Sequence, residues 1–418
     1  MHIYNDKKRK KQKIAKDICA VVDIGTSKIT AAIGYFDTAI NQIRVMSKGY
    51  QASKGVAKGQ IIDKEALEQA IVRAVFSAEQ GIEETLNTVR VNISGSHLLS
   101  ERICLEEALP EGKVSQKVID RIVNVEAGQV GDNRYKVLYA TPIAFQVDKQ
   151  APSRTPVGQE GHKLKAHLHV VTGETAASRA VRTAFKRAYL EVKQIHISGI
   201  ASAYGTAVPD EMASGVTVID IGAGVTDLAI FYNNTCVHCG AIPIGGNQIT
   251  QDIAHAFSIP FFQAERLKTL YGNAIVSSSD REERISLHLP ENGRHTADKE
   301  ISVMELNSVI QPRVEEIFSL IKKHLAEQNL QNMSSRGFIL TGGSSQLPGM
   351  REVGSRGISG QIRLGRPYNI HGVSDEVLSP SFATSAGLLN LAINRQGDWP
   401  KGEKSTYKQI GAWIKENF

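Results

Sequence analysis

Cysteine is scarce in this chain: Cys19, Cys104, Cys236 and Cys239 are all it has in 418 residues. Cys236-Val237-His238-Cys239 has a metal-like spacing. It lies, however, in a predicted strand after an Asn233-Asn234 turn, where positions three apart point to opposite faces, and no second ligand pair accompanies it. Long apolar runs are also missing. None approaches the ~20 residues that span a bilayer, and Asp17 and Asp23 interrupt before any cleavable apolar segment follows the basic start, which points to the cytoplasm. A one-signed fold surface is the third absence. The formal net charge is +6, and residues 1–16 carry Lys7, Lys8, Arg9, Lys10, Lys11, Lys13 and Lys16 against Asp6, so the rest is formally neutral. That balance excludes a basic folded surface for nucleic acid. It leaves a basic arm, either a solubilising tail or a contact for acidic lipid or nucleic acid.

What is present is a 41% hydrophobic composition, enough to fill two domains or one bilobed body. Two segments share one grammar. Residues 17–36, DICAVVDIGTSKITAAIGYF, and residues 215–232, GVTVIDIGAGVTDLAIFY, each read as a strand ending in Asp-Ile-Gly, a small-residue turn and a returning strand. Around the first, strands near 18–25, 28–35 and 42–49 precede a helix. Asp63 is its predicted N-cap, Leu67, Ile71, Ala74, Val75 and Ala78 make its apolar face, and Gly81 ends it. Around the second, strands at 216–221, 226–232 and 235–242 precede Gly245-Gly246 and a helix over 247–257. The repeat predicts a duplicated fold.

Between and after the halves lie inserted stretches. Residues 86–171 predict a small α+β unit, in which Lys163, Lys165, His167 and His169 alternate with Leu164, Ala166, Leu168 and Val170 as on a half-exposed strand, placing the histidines on the solvent face. Residues 250–330 predict a second insertion: a helix through AERLKTLYG, a polar stretch, then a long helix interrupted or restarted at Pro312. RGFIL then reads as a buried strand, Thr341-Gly342-Gly343-Ser344 as a turn, residues 363–370 as a short strand and turn, and FATSAGLLNLAI as a closing helix. A polar linker follows. Beyond it Tyr407, Ile410, Trp413, Ile414 and Phe418 fall on one helical face, to dock on the protein's own body or lie in a membrane interface.

Glycine turns let backbone N–H groups approach phosphate, and hydroxyls at Thr26, Ser27 and Thr226 add donors. Carboxylates repel phosphate, so Asp23 and Asp220, each at a strand end, are placed to hold Mg²⁺ or its waters; Lys28 can neutralise a phosphate. Singly these motifs are weak. Their order, Asp-Ile-Gly, then Asp-Ile-Gly-x-Gly-x-Thr-Asp, then Thr-Gly-Gly-Ser, resembles the two phosphate motifs and the adenosine motif of the actin, heat-shock-chaperone and sugar-kinase superfamily. Within it, the chain resembles the bacterial cell-division family FtsA from Ile18 nearly to its end. VIDIGAGVTDLAIF, ISGIASAYG, PIGGNQITQDIAHAF, AERLKTLYG, ILTGGSSQLPGM and the terminal WIKENF carry that likeness.

The resemblance implies an α/β, actin-like duplicated ribonuclease H-type fold, two lobes around a nucleotide cleft with an α+β insertion in the first lobe. It divides the chain into one core from 17–85, 172–202 and 372–395, and a second from 203–249 and 331–371, with insertions at 86–171 and 250–330. It implies ATP with Mg²⁺, held by Asp23, Gly25, Thr26, Ser27 and Lys28 and by Asp220, Gly222, Gly224 and Thr226. Gly342, Gly343 and Ser344 pack on the adenosine, Glu265 and Lys268 lie near ribose and base, Gly245 and Gly246 line the cleft, and Asp23 and Asp220 reach the metal through waters. Small residues Gly199, Ala201, Ala203, Ala386 and Gly387 match hinge helices. It also implies self-association into an actin-like polymer, and a tether in which 406–418 is the membrane-targeting helix, after a linker at 396–405, at the cytoplasmic face of the inner membrane of the septum. The acidic tail of the tubulin-like FtsZ would dock on 250–330, with Arg294 and Arg313 as charge partners, and later division proteins would be recruited. No nucleic acid is expected.

One departure concerns hydrolysis: Gly199-Ile200 supplies no acid or amide to orient water, so at most slow turnover and no catalytic residue are expected. Two alternatives stay open. One is the actin-like component of a pilus or secretion assembly, which would not end in an amphipathic helix. The other is a small-molecule kinase needing a base in the cleft, for which Asp227 is the nearby unassigned carboxylate.

Overall fold

The computed structural model describes residues 18–393, apart from 83–84, 127–129, 131, 292–293, 331–336 and 373. The basic arm, the linker and the terminal apolar face of Tyr407, Ile410, Trp413, Ile414 and Phe418 lie outside the described residues. No helix among the described residues is long and apolar enough to cross a membrane.

The first half opens with β1 (Cys19–Ile24), β2 (Lys28–Asp37) and β3 (Gln42–Ala52), then a small hairpin, β4 (Val56–Ala57) and β5 (Gln60–Ile61). Helix α1 (Lys64–Glu79) follows, capped as read: the Asp63 carboxylate accepts from the N–H groups of Glu65 and Ala66 at 3.0 Å. Next come β6 (Thr88–Ile93), β7 (Leu98–Ala108), α2 (Gln116–Asp120) running into a π-helical turn, β8 (Tyr135–Val147) and β9 (Lys163–Glu174). Helix α3 (Thr175–Arg187), β10 (Glu191–Ile197), α4 (Ser198–Thr206) and α5 (Pro209–Ser214) complete this half.

The second half repeats the meander as β11 (Val216–Ile221), β12 (Thr226–Tyr232) and β13 (Thr235–Ile242). Helices α6 (Gly246–Phe257) and α7 (Phe261–Tyr271), the hairpin β14 (Arg284–Glu291) and β15 (Arg294–Ser302), and the long α8 (Val303–Glu327) follow. The chain ends with β16 (Phe338–Thr341), α9 (Met350–Gly357), β17 (Ile362–Leu364), β18 (Ile370–His371) and α10 (Ala383–Ile393).

Two core sheets result, ordered β10-β6-β1-β2-β3-β18 and β13-β12-β11-β16-β17. In each, the meander is antiparallel and its first strand gains a parallel neighbour on the other side, β6 beside β1 and β16 beside β11. Both faces of each central strand are covered. Val216 and Val218 enter one core and Ile219 and Ile221 the other, which is why β11 reads as a continuous apolar run with Asp220 its only charge. Helices α4 and α10 cross between the lobes at glycine. A Cβ on Gly387 would stand 1.6 Å from the Ala201 carbonyl oxygen, so only glycine permits the crossing.

Several expectations are corrected. β6 belongs to the first core sheet, so the insertion begins after Ile93 rather than at residue 86; its three-stranded sheet is β7-β9-β8. Ile370 and His371 pair with β3 and so return to the first lobe. His167 and His169 are buried, not on a solvent face, because β13 lies across the end of the inserted sheet: His169 Nδ1 bonds the Cys236 carbonyl at 2.9 Å. Cys236 and Cys239 enter the same core, not opposite faces. A bulge sets Ile230 against His238 and Phe231 against Cys236, leaving Val237 as the extra residue that restores the side. The polar stretch forms the β14–β15 hairpin, and α8 continues through Pro312, its buried Ile310, Val314 and Ile317 outweighing the ~3 kcal/mol a helical proline costs.

Candidate functional site

Both Asp-Ile-Gly turns close with the same bond: Gly25 N–H donates to the Lys28 carbonyl at 3.1 Å, and Gly222 N–H to that of Val225 at 2.9 Å. A Cβ on Gly25 would stand 2.7 Å from the Lys28 oxygen and one on Gly222 3.0 Å from that of Val225, so each turn is tight where the spacing predicts it. The two turns face one cavity of about 600 Å³ between the lobes, within the range of small-molecule and cofactor sites.

The residues lining it include Asp23, Gly25, Thr26, Ser27, Lys28, Asp220, Gly222, Gly224, Gly246, Glu265, Lys268, Gly342, Gly343 and Ser344. Two expected members stand back. Thr226 is fully buried, with its hydroxyl donating to the Ile244 carbonyl at 2.9 Å, and Gly245 packs under the second turn, where a Cβ would stand 2.5 Å from the Gly222 oxygen. Both shape the site from behind.

The aspartates are held by groups from distant parts of the chain. Asp23 accepts from Asn92 Nδ2 at 2.8 Å and Ser385 Oγ at 3.3 Å; Asp220 accepts from Ser202 Oγ and from Thr384 Oγ1, the latter at 3.0 Å. Thr384 and Ser385, in the first turn of α10, thus give one hydroxyl to each lobe's carboxylate. A third acid joins them: Asp227 stands opposite Asp220 in the β11–β12 pair and accepts from Ser94 Oγ at 2.7 Å. Burial, then the Asp220 charge, pushes the Asp23 carboxyl up to about 6. Burial raises Asp220, offset by its two hydroxyl donors, and burial together with Asp220 holds Asp227 well above the usual carboxylate range. Asn92, Ser94, Ser198, Ser381, Thr384 and Asp227 all line the cavity beyond the motif residues.

On the opposite wall Lys268 Nζ donates to Glu265 Oε2 at 2.7 Å, Thr250 Oγ1 at 2.8 Å and the Gly246 carbonyl at 3.2 Å. Ser344 Oγ donates to the Gly222 carbonyl at 2.9 Å, tying the Thr-Gly-Gly-Ser turn to the second Asp-Ile-Gly turn. Gly342 has φ 87° and a Cβ there would meet Asp220 Oδ1 at 2.2 Å, so a side chain would fill the cradle. Of the expected partner residues, Arg313 is already engaged: Nε and Nη2 grip Asp252 at 2.5 and 2.9 Å, and Nη1 reaches Glu316. Arg294 opens β15; its side chain lies outside the described residues.

This arrangement defines an actin-like bilobed protein with a cavity between its lobes. The fold is similar to the solved PilM-PilN type IV pilus biogenesis complex, with TM-score 0.65 at 17% identity over 90% of this chain and 98% of that one. It is also similar to MreB5 of Spiroplasma citri bound to ADP, with TM-score 0.56 at 15% identity over 92% and 99%. These likenesses show the fold alone. The family model for cell division protein FtsA matches residues 217–387, and that for the SHS2 domain inserted in FtsA matches residues 95–172. Cell division protein FtsA of Pseudomonas aeruginosa is 33% identical over 377 residues, 90% of this chain and 89% of the relative. The chain belongs to the FtsA family of cell division proteins.

Proposed function

We propose that this chain binds ATP with Mg²⁺ in the cleft, and that closure on the nucleotide favours self-association of a protein that tethers FtsZ filaments to the cytoplasmic face of the inner membrane at the septum and recruits later division proteins. The observation that carries the nucleotide reading is the convergence of Asp23, Asp220 and Asp227 on one cavity beneath two tight glycine turns. Buried carboxylates with raised pKa values are a site short of positive charge, and a divalent cation supplies it. Asp23 and Asp220 would hold that ion through waters, and the N–H groups of both turns, the Thr26 and Ser27 hydroxyls and Lys28 would take the phosphates. Gly343, Ser344, Glu265 and Lys268 offer the wall for ribose and base. The family's relatives are named for cell division, and nucleotide is named in the MreB5 structures.

Turnover is slow on this reading. Asn92, the amide beside the start of α4, spends its Nδ2 on Asp23 and Ser198 and its Oδ1 on the Ile24 N–H. Asp227 is likewise engaged, taking the Ser94 hydroxyl at 2.7 Å, while burial and the Asp220 charge raise its pKa. The same two facts weigh against a small-molecule kinase. The pilus reading rests on fold likeness at 17% identity, against 33% identity to a cell division protein.

Membrane tethering is tested by liposome co-sedimentation with FtsZ, comparing the full chain with one ending at Gly397 and with Trp413→Glu, which sets a charge on the face that must enter lipid. Both changes are expected to abolish FtsZ recruitment; unchanged recruitment refutes the tether. The FtsZ tail is expected on the 250–330 unit. Arg313 would contribute there only by exchanging Asp252 for the incoming acid; Arg294 is the second candidate charge partner.

A further inference from the structure

The duplicated halves differ where the meander hands over to its helix. In the second half residues 243–245 separate β13 from α6, whereas in the first half residues 53–63 separate β3 from α1 and carry the β4–β5 hairpin. The hairpin is fixed at its base. Ser53 N–H donates to the Ser27 carbonyl of the first Asp-Ile-Gly turn at 2.9 Å, and the Gly55 carbonyl accepts from the Ile62 and Asp63 N–H groups at 2.9 and 3.3 Å. Its tip is Lys58-Gly59, between the paired Ala57 and Gln60, with φ 50° and 76°. Positive φ at both central residues defines a type I′ turn, whose first position favours asparagine, aspartate or glycine. Lysine there is held in left-handed backbone at a cost that its surroundings must offset.

The tip reaches across the cleft. Gly59 lines the cavity, and a Cβ on it would stand 2.7 Å from the Ser94 carbonyl oxygen, so the tip rests on the residue whose hydroxyl bonds Asp227. On the other lobe a Cβ on Gly224 would stand 2.8 Å from Thr26 Cγ2 and 3.2 Å from the Lys58 backbone nitrogen. The second Asp-Ile-Gly turn thus meets the first lobe at Gly224. Two residues earlier the same turn is tied to the opposite wall: the Gly222 carbonyl accepts from Ser344 Oγ at 2.9 Å and from the Gly246 N–H at 3.0 Å, and the Gly246 carbonyl accepts from Lys268. A nucleotide with its base at the Ser344–Lys268 wall therefore runs along this turn and brings its last phosphate to Gly224 and the hairpin tip. Lys58 is exposed, and its amine has no ion pair among the described residues.

We propose that Lys58 is the terminal-phosphate residue of this cleft: its ammonium pairs with the last phosphate of a nucleoside triphosphate and so holds the β4–β5 tip against Gly224. The inference rests on the nucleotide reading of the cleft and adds to it a residue that tells triphosphate from diphosphate. A diphosphate ends short of the tip. It leaves the lysine unpaired, and only the Thr26 side chain and the Lys58 backbone then join the lobes at Gly224. A charge-assisted bond to phosphate is among the stronger polar contacts, and this one forms only while the tip touches the second lobe, so it favours the arrangement in which the lobes are joined.

The test is isothermal titration of the full chain with ATP and with ADP, each with Mg²⁺, for wild type, Lys58→Asn and Lys58→Arg. Asparagine tolerates left-handed backbone, so the turn survives the loss of the amine. Wild type is expected to bind ATP more tightly than ADP. Lys58→Asn is expected to weaken ATP by on the order of 10–100-fold and ADP by less than ~3-fold, and Lys58→Arg, which keeps the charge, to retain the preference. Unchanged ATP affinity in Lys58→Asn, or equal losses for ATP and ADP, overturns the proposal and leaves the nucleotide reading standing. Lys58→Arg that loses as much ATP affinity as Lys58→Asn does the same, because the charge is then not what binds. Wild type that binds neither nucleotide overturns the nucleotide reading, and this proposal with it.

Discussion

Two buried clusters of titratable side chains bridge the lobes, and they are completed in different ways. In the cleft, Asp23, Asp220 and Asp227 converge with raised pKa values. Where the inserted sheet meets the second lobe, His169, Ser100, His238 and His324 form a chain. Ser100 Oγ lies 2.9 Å from His169 Nε2 and 3.1 Å from His238 Nδ1, and His238 Nε2 lies 3.1 Å from His324 Nε2. Burial pushes His169 down to about 3 and lowers His238 and His324 as well. Neutral imidazoles can donate and accept in turn, so the histidine chain is complete within the protein. Ionised carboxylates only accept, so on the proposed reading the aspartate cluster is completed by the cation that comes with the nucleotide.

The largest effect on this contrast is expected from Gly342→Ala. It puts a Cβ on a residue with φ 87° and drives it against Asp220 Oδ1, 2.2 Å away. Backbone strain and displacement of the carboxylate act together, so we expect loss of about 3 kcal/mol of stability and more than ~100-fold in nucleotide affinity. Urea denaturation with and without ATP and Mg²⁺ reads both. A fully retained nucleotide-dependent stabilisation would show that Asp220 does not serve the ligand.

Neutralising the aspartates should separate folding from binding. Asp23→Asn removes a buried carboxylate whose pKa stands near 6, so the ligand-free protein is expected to gain about 2 kcal/mol at pH 7. The same change should reduce the Mg²⁺-dependent part of ATP affinity by on the order of 10–100-fold. Thermal shift with ATP plus EDTA against ATP plus Mg²⁺ makes the comparison. If the variant is less stable without ligand, the cluster is structural rather than poised for a cation.

The histidine chain is expected to respond to pH alone. A group whose pKa is lower folded than unfolded stabilises above its unfolded value and loses that contribution as pH falls. For His169, unfolded near 6.5 and folded near 3, the loss begins below about pH 6.5 and reaches about 2 kcal/mol by pH 5. His169→Gln should flatten the stability curve between pH 7 and pH 5 by about that amount. An unaltered slope would place the titration on other groups.

How far these sites could be read in advance follows from how local their signals are. The two Asp-Ile-Gly turns were legible because strand, turn and strand lie within about twenty residues and repeat. The cap at Asp63 was legible because capping needs only the next three positions. Asn92, Ser94, Ser202, Thr384 and Ser385 were not, because each reaches its aspartate from a separate element and is an ordinary polar residue in its own segment. The one available hint was Thr384-Ser385 at the start of the closing helix, hydroxyls where a helix N-terminus faces two acids. The histidines misled for a related reason. Alternation along β9 says which face a side chain takes, while β13, arriving from the other lobe, decides whether that face is wet.

The smallest effect is expected at Ser94, and it tests where the aspartate cluster ends. Asp227 lines the cavity, yet it stands on β12 opposite Asp220 and accepts from Ser94 Oγ of the other lobe at 2.7 Å. If Asp227 is neutral, it can bond elsewhere once Ser94 is gone. Ser94→Ala then costs one neutral hydrogen bond, about 1 kcal/mol, and changes ATP affinity by less than ~3-fold. If Asp227 were instead an ionised part of the metal site, losing that donor would raise repulsion with Asp220, and ATP affinity in Mg²⁺ would change by ~10-fold or more. Isothermal titration of the variant with ATP and Mg²⁺ distinguishes a cluster of two working aspartates and one structural acid from a cluster of three.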